Sequence, residues 1–307
     1  MLNCPIITLN NGSKIPQFGL GVFRSPVGEE TSNAVKWALE AGYRHIDTAM
    51  LYHNEQDVAR GIRESGVPRE EIFITSKLGN PMIEAKQSVE GTLQSLEKLQ
   101  TDYIDLYLLH WPVPNYMDAW ETLMRFYEEK KLRAIGVSNF QIRHLEALEK
   151  AGLLKPAVNQ IELHPSFQQR ELKPYCEERD IRIEAWSPLG GSDHLLIDRP
   201  EILSIAKKHG KTGAQVIIRW ELQLGNIVIP KSVKKNRIIE NAEVFDFNLD
   251  EEDMALIRET CRQTYLEECE INANFKMVYD SMQAYRETAN NYRDWTGDYG
   301  FGFNRAD

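Results

Sequence analysis

The chain has few cysteines, no long apolar run and no excess of basic charge. Its four cysteines form no CxxC pair and have no histidine at zinc-finger spacing, so we expect reduced thiols and no metal site. No apolar run approaches the roughly 18 residues that cross a bilayer, and no basic, apolar leader opens the sequence. A net charge of −10 argues against a dedicated nucleic-acid binder. These absences favour a cytoplasmic protein without membrane or nucleic-acid partners.

Short apolar runs recur about 30 residues apart, with one wider gap before the last, and helical patterns lie between them. Near-continuous apolar strands that alternate with helices are typical of a parallel sheet covered on its outside. Eight such units favour a closed α/β fold, the (β/α)8 or TIM barrel, over an open doubly wound sheet. The eight predicted strands span residues 19–22, 45–48, 72–76, 104–109, 134–137, 158–161, 183–186 and 227–229.

Local signals add detail to this barrel. Two short apolar segments flank Asn10-Asn11-Gly12-Ser13, which predicts an N-terminal hairpin that plugs the bottom of the barrel. Thr212, with Gln215 three residues later, predicts a capping box at the start of a helix over 214–224. A further helix is predicted over 85–99. Its apolar stripe consists of Val89, Leu93, Leu96 and Leu99.

In a barrel of this kind the active site is built at the carboxyl ends of the strands. The predicted strand ends bring together an acid, a tyrosine, a lysine and a histidine, namely Asp47, Tyr52, Lys77 and His110. A phenol has a pKa near 10, which a neighbouring ammonium lowers, and a carboxylate keeps that ammonium charged. With a histidine on the same substrate oxygen, such a set suits proton donation to a carbonyl that receives a hydride.

Each of these residues also has a structural explanation when it is considered alone. Asp47 could cap a helix, Tyr52 could pack at the rim, Lys77 could be solvated and His110 could be a core histidine. The combination at neighbouring strand ends favours the chemical interpretation.

The motifs at the strand ends resemble those of the aldo-keto reductases, and the match runs from about residue 5 to residue 262. They occur in this order: Gly19-Leu20-Gly21, Ile46-Asp47-Thr48-Ala49 with Tyr52, Thr75-Ser76-Lys77, Leu108-Leu109-His110-Trp111-Pro112, Gly136-Val137-Ser138-Asn139-Phe140, Asn159-Gln160-Ile161-Glu162-Leu163-His164-Pro165, Trp186-Ser187-Pro188-Leu189-Gly190 and Ile229-Pro230-Lys231-Ser232 with Arg237 and Glu240-Asn241. The resemblance implies a carbonyl reductase in which Tyr52 is the general acid. Lys77, paired with Asp47, tunes it, and His110 orients the carbonyl.

The resemblance also implies where the nicotinamide half of the cofactor binds. Ser138, Asn139 and Gln160 would hold the carboxamide, and Trp186 would stack on the ring. Ser187 and Leu189 complete the expected cofactor contacts on this side.

The phosphate end of the cofactor is indicated by charge. No GxGxxG is present, because Gly19-Leu20-Gly21 continues to Arg24, so a Rossmann site is disfavoured. Lys231, Lys234, Lys235 and Arg237 instead concentrate positive charge after the last strand, where barrels commonly bind phosphate. By resemblance, a 2′-phosphate would bind Lys231, Ser232 and Arg237, and the adenine would bind Glu240 and Asn241. The expected cofactor is NADP(H), with some use of NAD(H) left open.

The substrate side is less specified. Phe23 and Trp111 are expected to line the pocket, and Phe23 stands where many aldo-keto reductases carry a tryptophan. The whole chain, 1–307, is interpreted as one reductase domain whose tail, 263–307, lies over or beside the barrel.

Two functions remain open. The favoured one is NADPH-dependent reduction of an aldehyde or sugar carbonyl by a monomer or weak homodimer. The other is a nucleotide-binding barrel that serves as a redox sensor or structural subunit.

Overall fold

The computed structural model describes residues 2–191 and 196–260. This part of the chain contains ten strands, ten complete α-helices and, at its end, a further α-helix through residues 251–260. The strands are β1 Ile6–Thr8, β2 Lys14–Pro16, β3 Leu20–Gly21, β4 His45–Asp47, β5 Phe73–Leu78, β6 Leu106–Leu109, β7 Ile135–Ser138, β8 Val158–Glu162, β9 Arg182–Trp186 and β10 Ile227–Val228. The helices are α1 Glu29–Glu40, α2 Glu55–Ser65, α3 Asn80–Glu84, α4 Ser88–Lys98, α5 Tyr116–Glu128, α6 Ile142–Lys150, α7 Leu172–Glu178, α8 Pro200–His209, α9 Gly213–Gln223 and α10 Lys235–Ala242.

Strands β3 to β10 form one parallel sheet in which every strand pairs with its neighbour in sequence. Two isolated parallel bridges, Phe18 with Val228 and Gly21 with Lys231, join the first strand to the last and close the ring. A Cβ at Gly21 would lie 2.7 Å from the Ile229 carbonyl oxygen, so the closure depends on a residue without a side chain. The predicted (β/α)8 barrel is confirmed.

The N-terminal hairpin is confirmed as a plug. Strands β1 and β2 pair antiparallel, and Leu9 and Ile15 pack on apolar side chains of the barrel strands. The Asn10 amide donates to the Pro156 and Asp180 carbonyl oxygens, which precede β8 and β9. Because these carbonyls lie before their strands, the hairpin covers the amino ends of the strands and leaves the carboxyl ends accessible.

One helix differs from its prediction. The predicted apolar stripe over 85–99 is only half buried, because Val89 and Leu93 of α4 are 44% and 46% exposed whereas Leu96 and Leu99 are buried. The buried face instead carries small side chains, and a Cβ at Gly91 would lie 2.6 Å from Leu78 Cδ1. The helix therefore packs so closely on β5 that only small residues fit between them, and Leu96 is the large apolar side chain that this face buries.

The remaining local predictions hold where the structure describes them. Thr212 and Gln215 form the predicted capping box of α9, with Thr212 N–H donating to Gln215 Oε1 at 2.9 Å. Within residues 2–191 and 196–260, none of the helices has the length and apolar character needed to span a membrane. The predicted tail, 263–307, lies outside the described residues.

Candidate active site

The four residues predicted for catalysis come together at the carboxyl ends of β4, β5 and β6. Asp47 is the last residue of β4, Lys77 is the penultimate residue of β5, and His110 directly follows β6. Tyr52 ends a single 3-10 turn, Met50–Tyr52, that follows β4. Parallel pairing in register aligns these strand ends, and the short turn returns the tyrosine over them.

Asp47 and Lys77 form a buried ion pair. Lys77 Nζ donates to Asp47 Oδ1 at 2.7 Å, to Asp47 Oδ2 at 2.8 Å and to the Thr48 carbonyl oxygen at 2.9 Å. Burial acts to lower the pKa of the Lys77 ammonium, but Asp47 and Tyr52 outweigh it, and the pKa lies above its usual value. All three donor positions of the ammonium are used, so its charge and place are fixed.

Tyr52 lies over this pair. The Lys77 ammonium is 5.0 Å from the centroid of the Tyr52 ring, and the His110 ring is 5.7 Å away, nearly perpendicular. Burial raises the pKa of the Tyr52 phenol above its ordinary value. The Lys77 charge lowers that pKa, as expected from the sequence, but it does not overcome the burial. The phenol thus stays protonated at neutral pH, the form required of a proton donor.

His110 is neutral. Burial, and then the charge of Lys77, lowers the pKa of its imidazole to about 3. Its Nδ1 is buried and has no hydrogen-bond partner among the described residues. A neutral imidazole keeps one N–H, so it can donate to a substrate oxygen without carrying charge into the pocket.

The residues predicted to hold the nicotinamide form one hydrogen-bonded group. The Trp186 indole N–H donates to Asn139 Oδ1 at 3.0 Å, and Asn139 Nδ2 donates to the His110 carbonyl oxygen at 3.2 Å. Ser138 Oγ donates to the Gln160 carbonyl oxygen at 2.9 Å. Gln160 Nε2 donates to Asp47 Oδ2 at 2.7 Å, which joins this group to the ion pair. That link was not anticipated from the sequence.

The basic cluster lies where the barrel closes. The backbone of Lys231 forms the β-bridge with Gly21, and the side chains of Lys231 and Arg237 are both exposed. The buried Ser232 hydroxyl accepts from Lys234 N–H at 3.1 Å, at the start of α10. Exposed cations beside a helix N-terminus suit an anion such as a phosphate.

Two further predicted contacts lie on α10. Asn241 is buried, and Glu240 Oε1 accepts from Thr212 Oγ1 at 3.1 Å. The Glu240 carboxylate therefore contacts the start of α9 in this structure.

Apolar residues surround the mouth of the site. The Phe23 ring is 5.0 Å from the Tyr52 ring, and Phe23 and Trp111 are 51% and 42% exposed. Ser187 and Leu189, in the loop after β9, are half-buried, and Ser187 adopts a left-handed backbone conformation with φ of 49°. Exposed aromatic rings beside a buried charged group are typical of a pocket for a small ligand.

Two buried ionisable residues near the ion pair were not singled out from the sequence. Glu184 lies in β9 and His45 in β4, and both side chains are inaccessible to solvent. The signal was present, because Glu184 interrupts the otherwise uncharged predicted strand 183–186. A charged residue inside a buried parallel strand needs an explanation.

The residues at the rim fit NADP(H). Asn139, held with φ of 62°, fixes the edge of Trp186, and the exposed cations near α10 offer charge for phosphate oxygens. Among residues 2–191 and 196–260, no cluster of three or more His, Cys, Asp or Glu side chains is arranged to hold a metal ion.

Comparisons with known proteins agree with this geometry. Residues 17–262 match the Aldo/keto reductase family. The chain is 53% identical to 9,11-endoperoxide prostaglandin H2 reductase of Trypanosoma cruzi over 84% of its length and 91% of that protein. It is also 53% identical to glyoxal reductase of Bacillus subtilis, over 81% of its length and 90% of that protein. A Bombyx mori aldo-keto reductase in complex with NADP superposes with a TM-score of 0.79 at 37% identity, covering 84% of this chain and 93% of that one. The chain therefore belongs to the aldo/keto reductase family and is an NADP-dependent oxidoreductase that acts on carbonyl groups.

Proposed function

We propose that the chain reduces aldehyde or sugar carbonyls to alcohols, with Tyr52 as the proton donor. The single observation that carries this assignment is the buried Asp47–Lys77 pair directly beneath the Tyr52 ring. A sensor or purely structural barrel has no need to bury such a pair beneath an ionisable hydroxyl, so that alternative is not favoured.

The residues divide the reaction between them. Bound NADPH supplies the hydride that adds to the carbonyl carbon. The neutral His110 imidazole donates a hydrogen bond to the carbonyl oxygen and orients it. As negative charge develops on that oxygen, it becomes more basic than the phenolate, and Tyr52 transfers its proton to it. Lys77 then stabilises the phenolate that remains, while Asp47 keeps the ammonium charged and in place.

The cofactor is held by residues from the carboxyl ends of the later strands. The carboxamide is assigned to Ser138, Asn139 and Gln160, with Trp186 against the nicotinamide ring. The remaining cofactor contacts are assigned to Ser187, Leu189, Lys231, Ser232, Arg237, Glu240 and Asn241. Phe23 and Trp111 form the apolar walls for the substrate. Glyoxal and related small dicarbonyls are the first substrates to test, because the Bacillus subtilis relative is named for that activity.

Tyr52→Phe tests the proton donor. It removes one hydroxyl and keeps the ring, so we expect kcat for aldehyde reduction to fall by at least about a hundredfold. NADPH binding, measured by quenching of tryptophan fluorescence, should remain within a few-fold. Tyr116→Phe, a half-buried tyrosine on α5 that packs on Phe140, is the matched control and should retain turnover. Turnover near that of the parent enzyme in Tyr52→Phe would disprove the assignment.

We further infer that the chain acts in the cytoplasm as a monomer or weak homodimer, with 1–307 as one domain and 263–307 as a tail over or beside the barrel. The inference of a reducing compartment is supported by Cys4 and Cys176, which form no disulfide within residues 2–191 and 196–260. Sedimentation velocity gives the assembly state. Deletion of 294–307 should reorder the preference among aldehydes if the tail covers the substrate.

A further inference from the structure

Glu184 is a buried acid that the proposed reaction does not use. It lies in the middle of β9 and is inaccessible to solvent. Neither carboxyl oxygen has a well-aligned hydrogen-bond partner among the described residues, although the Gln160 amide lies near enough to oppose the rise in the pKa of Glu184. Its nearest basic group is His45 Nε2, which lies 3.5 Å from Glu184 Oε1 and is hydrogen-bonded at 3.0 Å to Thr75 Oγ1. A buried carboxyl with so few partners requires a reason.

The position of Glu184 joins it to the reacting groups. It pairs in register with Gln160 of β8, and the Gln160 amide donates to Asp47 at 2.7 Å. On its other side β10 offers only the apolar Ile227 and Val228. Four ionisable groups interact with it or share its cluster. These are His45 and Asp47 of β4, Tyr52 of the turn after β4, and Lys77 of β5.

None of these groups neutralises an ionised Glu184. Burial, and then Lys77, lowers the pKa of the His45 imidazole to about 3, so His45 is neutral. Lys77 is already bound to both oxygens of Asp47. Burial, reinforced by Asp47, raises the pKa of the Glu184 carboxyl to about 8. The carboxyl is therefore uncharged at neutral pH. Burial also raises the pKa of the Asp47 carboxyl, but its two bonds from Lys77 and the bond from the Gln160 amide favour its charged form, so Asp47 is the carboxylate that pairs with Lys77.

We propose that Glu184 is a positioning residue whose uncharged form keeps the active site competent and whose ionisation, by placing a second carboxylate in the Asp47–Lys77 cluster, slows carbonyl reduction at alkaline pH. The second carboxylate raises the pKa of Tyr52, which makes the phenol a weaker acid. It also opposes the negative charge that develops on the substrate oxygen. We therefore expect turnover to fall at alkaline pH because Glu184 ionises, and not because Tyr52 does. This inference rests on the proposed role of Tyr52.

The test compares two buried acids. Glu184→Gln keeps the shape of the side chain and removes its charge at every pH. Glu221→Gln is the matched control, because Glu221 is also fully buried with a pKa raised to about 8, but its carboxylate accepts from Asn226, just before β10 at the amino end of the barrel. A group that titrates near pH 8 should reduce kcat about tenfold between pH 7 and pH 9. We expect that decline in the parent enzyme and in Glu221→Gln, and less than a twofold change in Glu184→Gln.

A second measurement on the apoprotein does not depend on turnover. Difference infrared spectroscopy should show protonated carboxylic acid C=O absorption at pH 7 that disappears through about pH 8. Because Glu221 contributes a similar band, the Glu184 component is the part that is lost in Glu184→Gln and kept in Glu221→Gln. An unchanged band, or an alkaline decline that persists in Glu184→Gln, overturns the inference. If Tyr52→Phe retains turnover, the proposed function fails instead, whereas the infrared result still reports the charge of Glu184.

Discussion

The two ends of the barrel differ in the hydrogen-bond partners of their polar side chains. At the amino end, side-chain amides donate hydrogen bonds to backbone carbonyl oxygens. Gln17 Nε2 donates to the Leu222 and Asn226 carbonyl oxygens, and Asn10 and Asn11 donate to carbonyls that precede three other strands. These bonds tie loops to the plug and have no capacity for a ligand. They serve stability.

At the carboxyl end the polar side chains bond mainly with one another. Lys77, Asp47 and Gln160 form a chain of charge-assisted bonds, while His110 Nδ1 has no partner in the part of the chain that the structure describes. Charged and polar side chains that bond with one another beside an accessible mouth are suited to chemistry, so changes here should affect turnover more than changes at the plug.

The largest expected effect is that of Lys77→Met. It removes the charge beneath Tyr52 and should lower kcat by about 10²–10⁴-fold. It also leaves Asp47 buried without its partner, which should cost about 3–5 kcal/mol of unfolding free energy. Urea denaturation and steady-state kinetics measure the two effects. Lys86→Met is the control, because Lys86 and Asp118 form a pair of the same 2.7 Å length at an exposed position and should contribute little.

Arg237→Ala should affect cofactor choice without affecting the proton donor. An arginine–phosphate contact commonly contributes about 1.5–3 kcal/mol, so the preference for NADPH over NADH in kcat/KM should fall about 10- to 100-fold. The parent preference should also weaken as salt concentration rises. Arg63→Ala, an exposed arginine on α2 that contacts Gln100, is the control. An unchanged preference in Arg237→Ala would show that the basic cluster has another role.

Gln17→Leu tests the amino end. It leaves two buried carbonyls without their amide donor, and we expect a loss of about 1–3 kcal/mol in unfolding free energy. Because no reacting group lies at this end, kcat and KM measured well below the melting temperature should equal those of the parent. A reduced kcat in the fully folded variant would contradict the division between the two ends.

The smallest effect is expected on the outer wall. Leu93 of α4 is 46% exposed, so Leu93→Ala should change the unfolding free energy by no more than about 0.5 kcal/mol. Leu96 on the buried face of the same helix is 8% exposed, and Leu96→Ala should cost about 2–5 kcal/mol. Equal losses of unfolding free energy at the two positions would show that Leu93 and Leu96 lie on one packed stripe, as the sequence predicted.

The order of strands and the residues at their ends could be read from the sequence because a strand and its following polar residue are local features. Asp47, Tyr52, Lys77 and His110 were placed at strand ends in this way, and the structure brings them together. The packed face of α4 could not be read, because glycine and serine become core residues only where another element approaches closely. The role of Glu184 was equally hidden, because a carboxyl acquires a shifted pKa from its surroundings.

The sequence by itself determined the barrel, its hairpin plug and the identity of the side chains at the strand ends. Periodicity, turn residues and motif spacing are local in the chain, and they persist whatever the chain packs against. Only the tertiary structure decided the energetics of the site. Burial keeps Tyr52 protonated and His110 neutral. The packing of the strands brings the Gln160 amide to Asp47, so Gln160 links the residues assigned to the nicotinamide with the ion pair. Hydrogen-bond partners and solvation arise between strands far apart in sequence, and no local pattern encodes them.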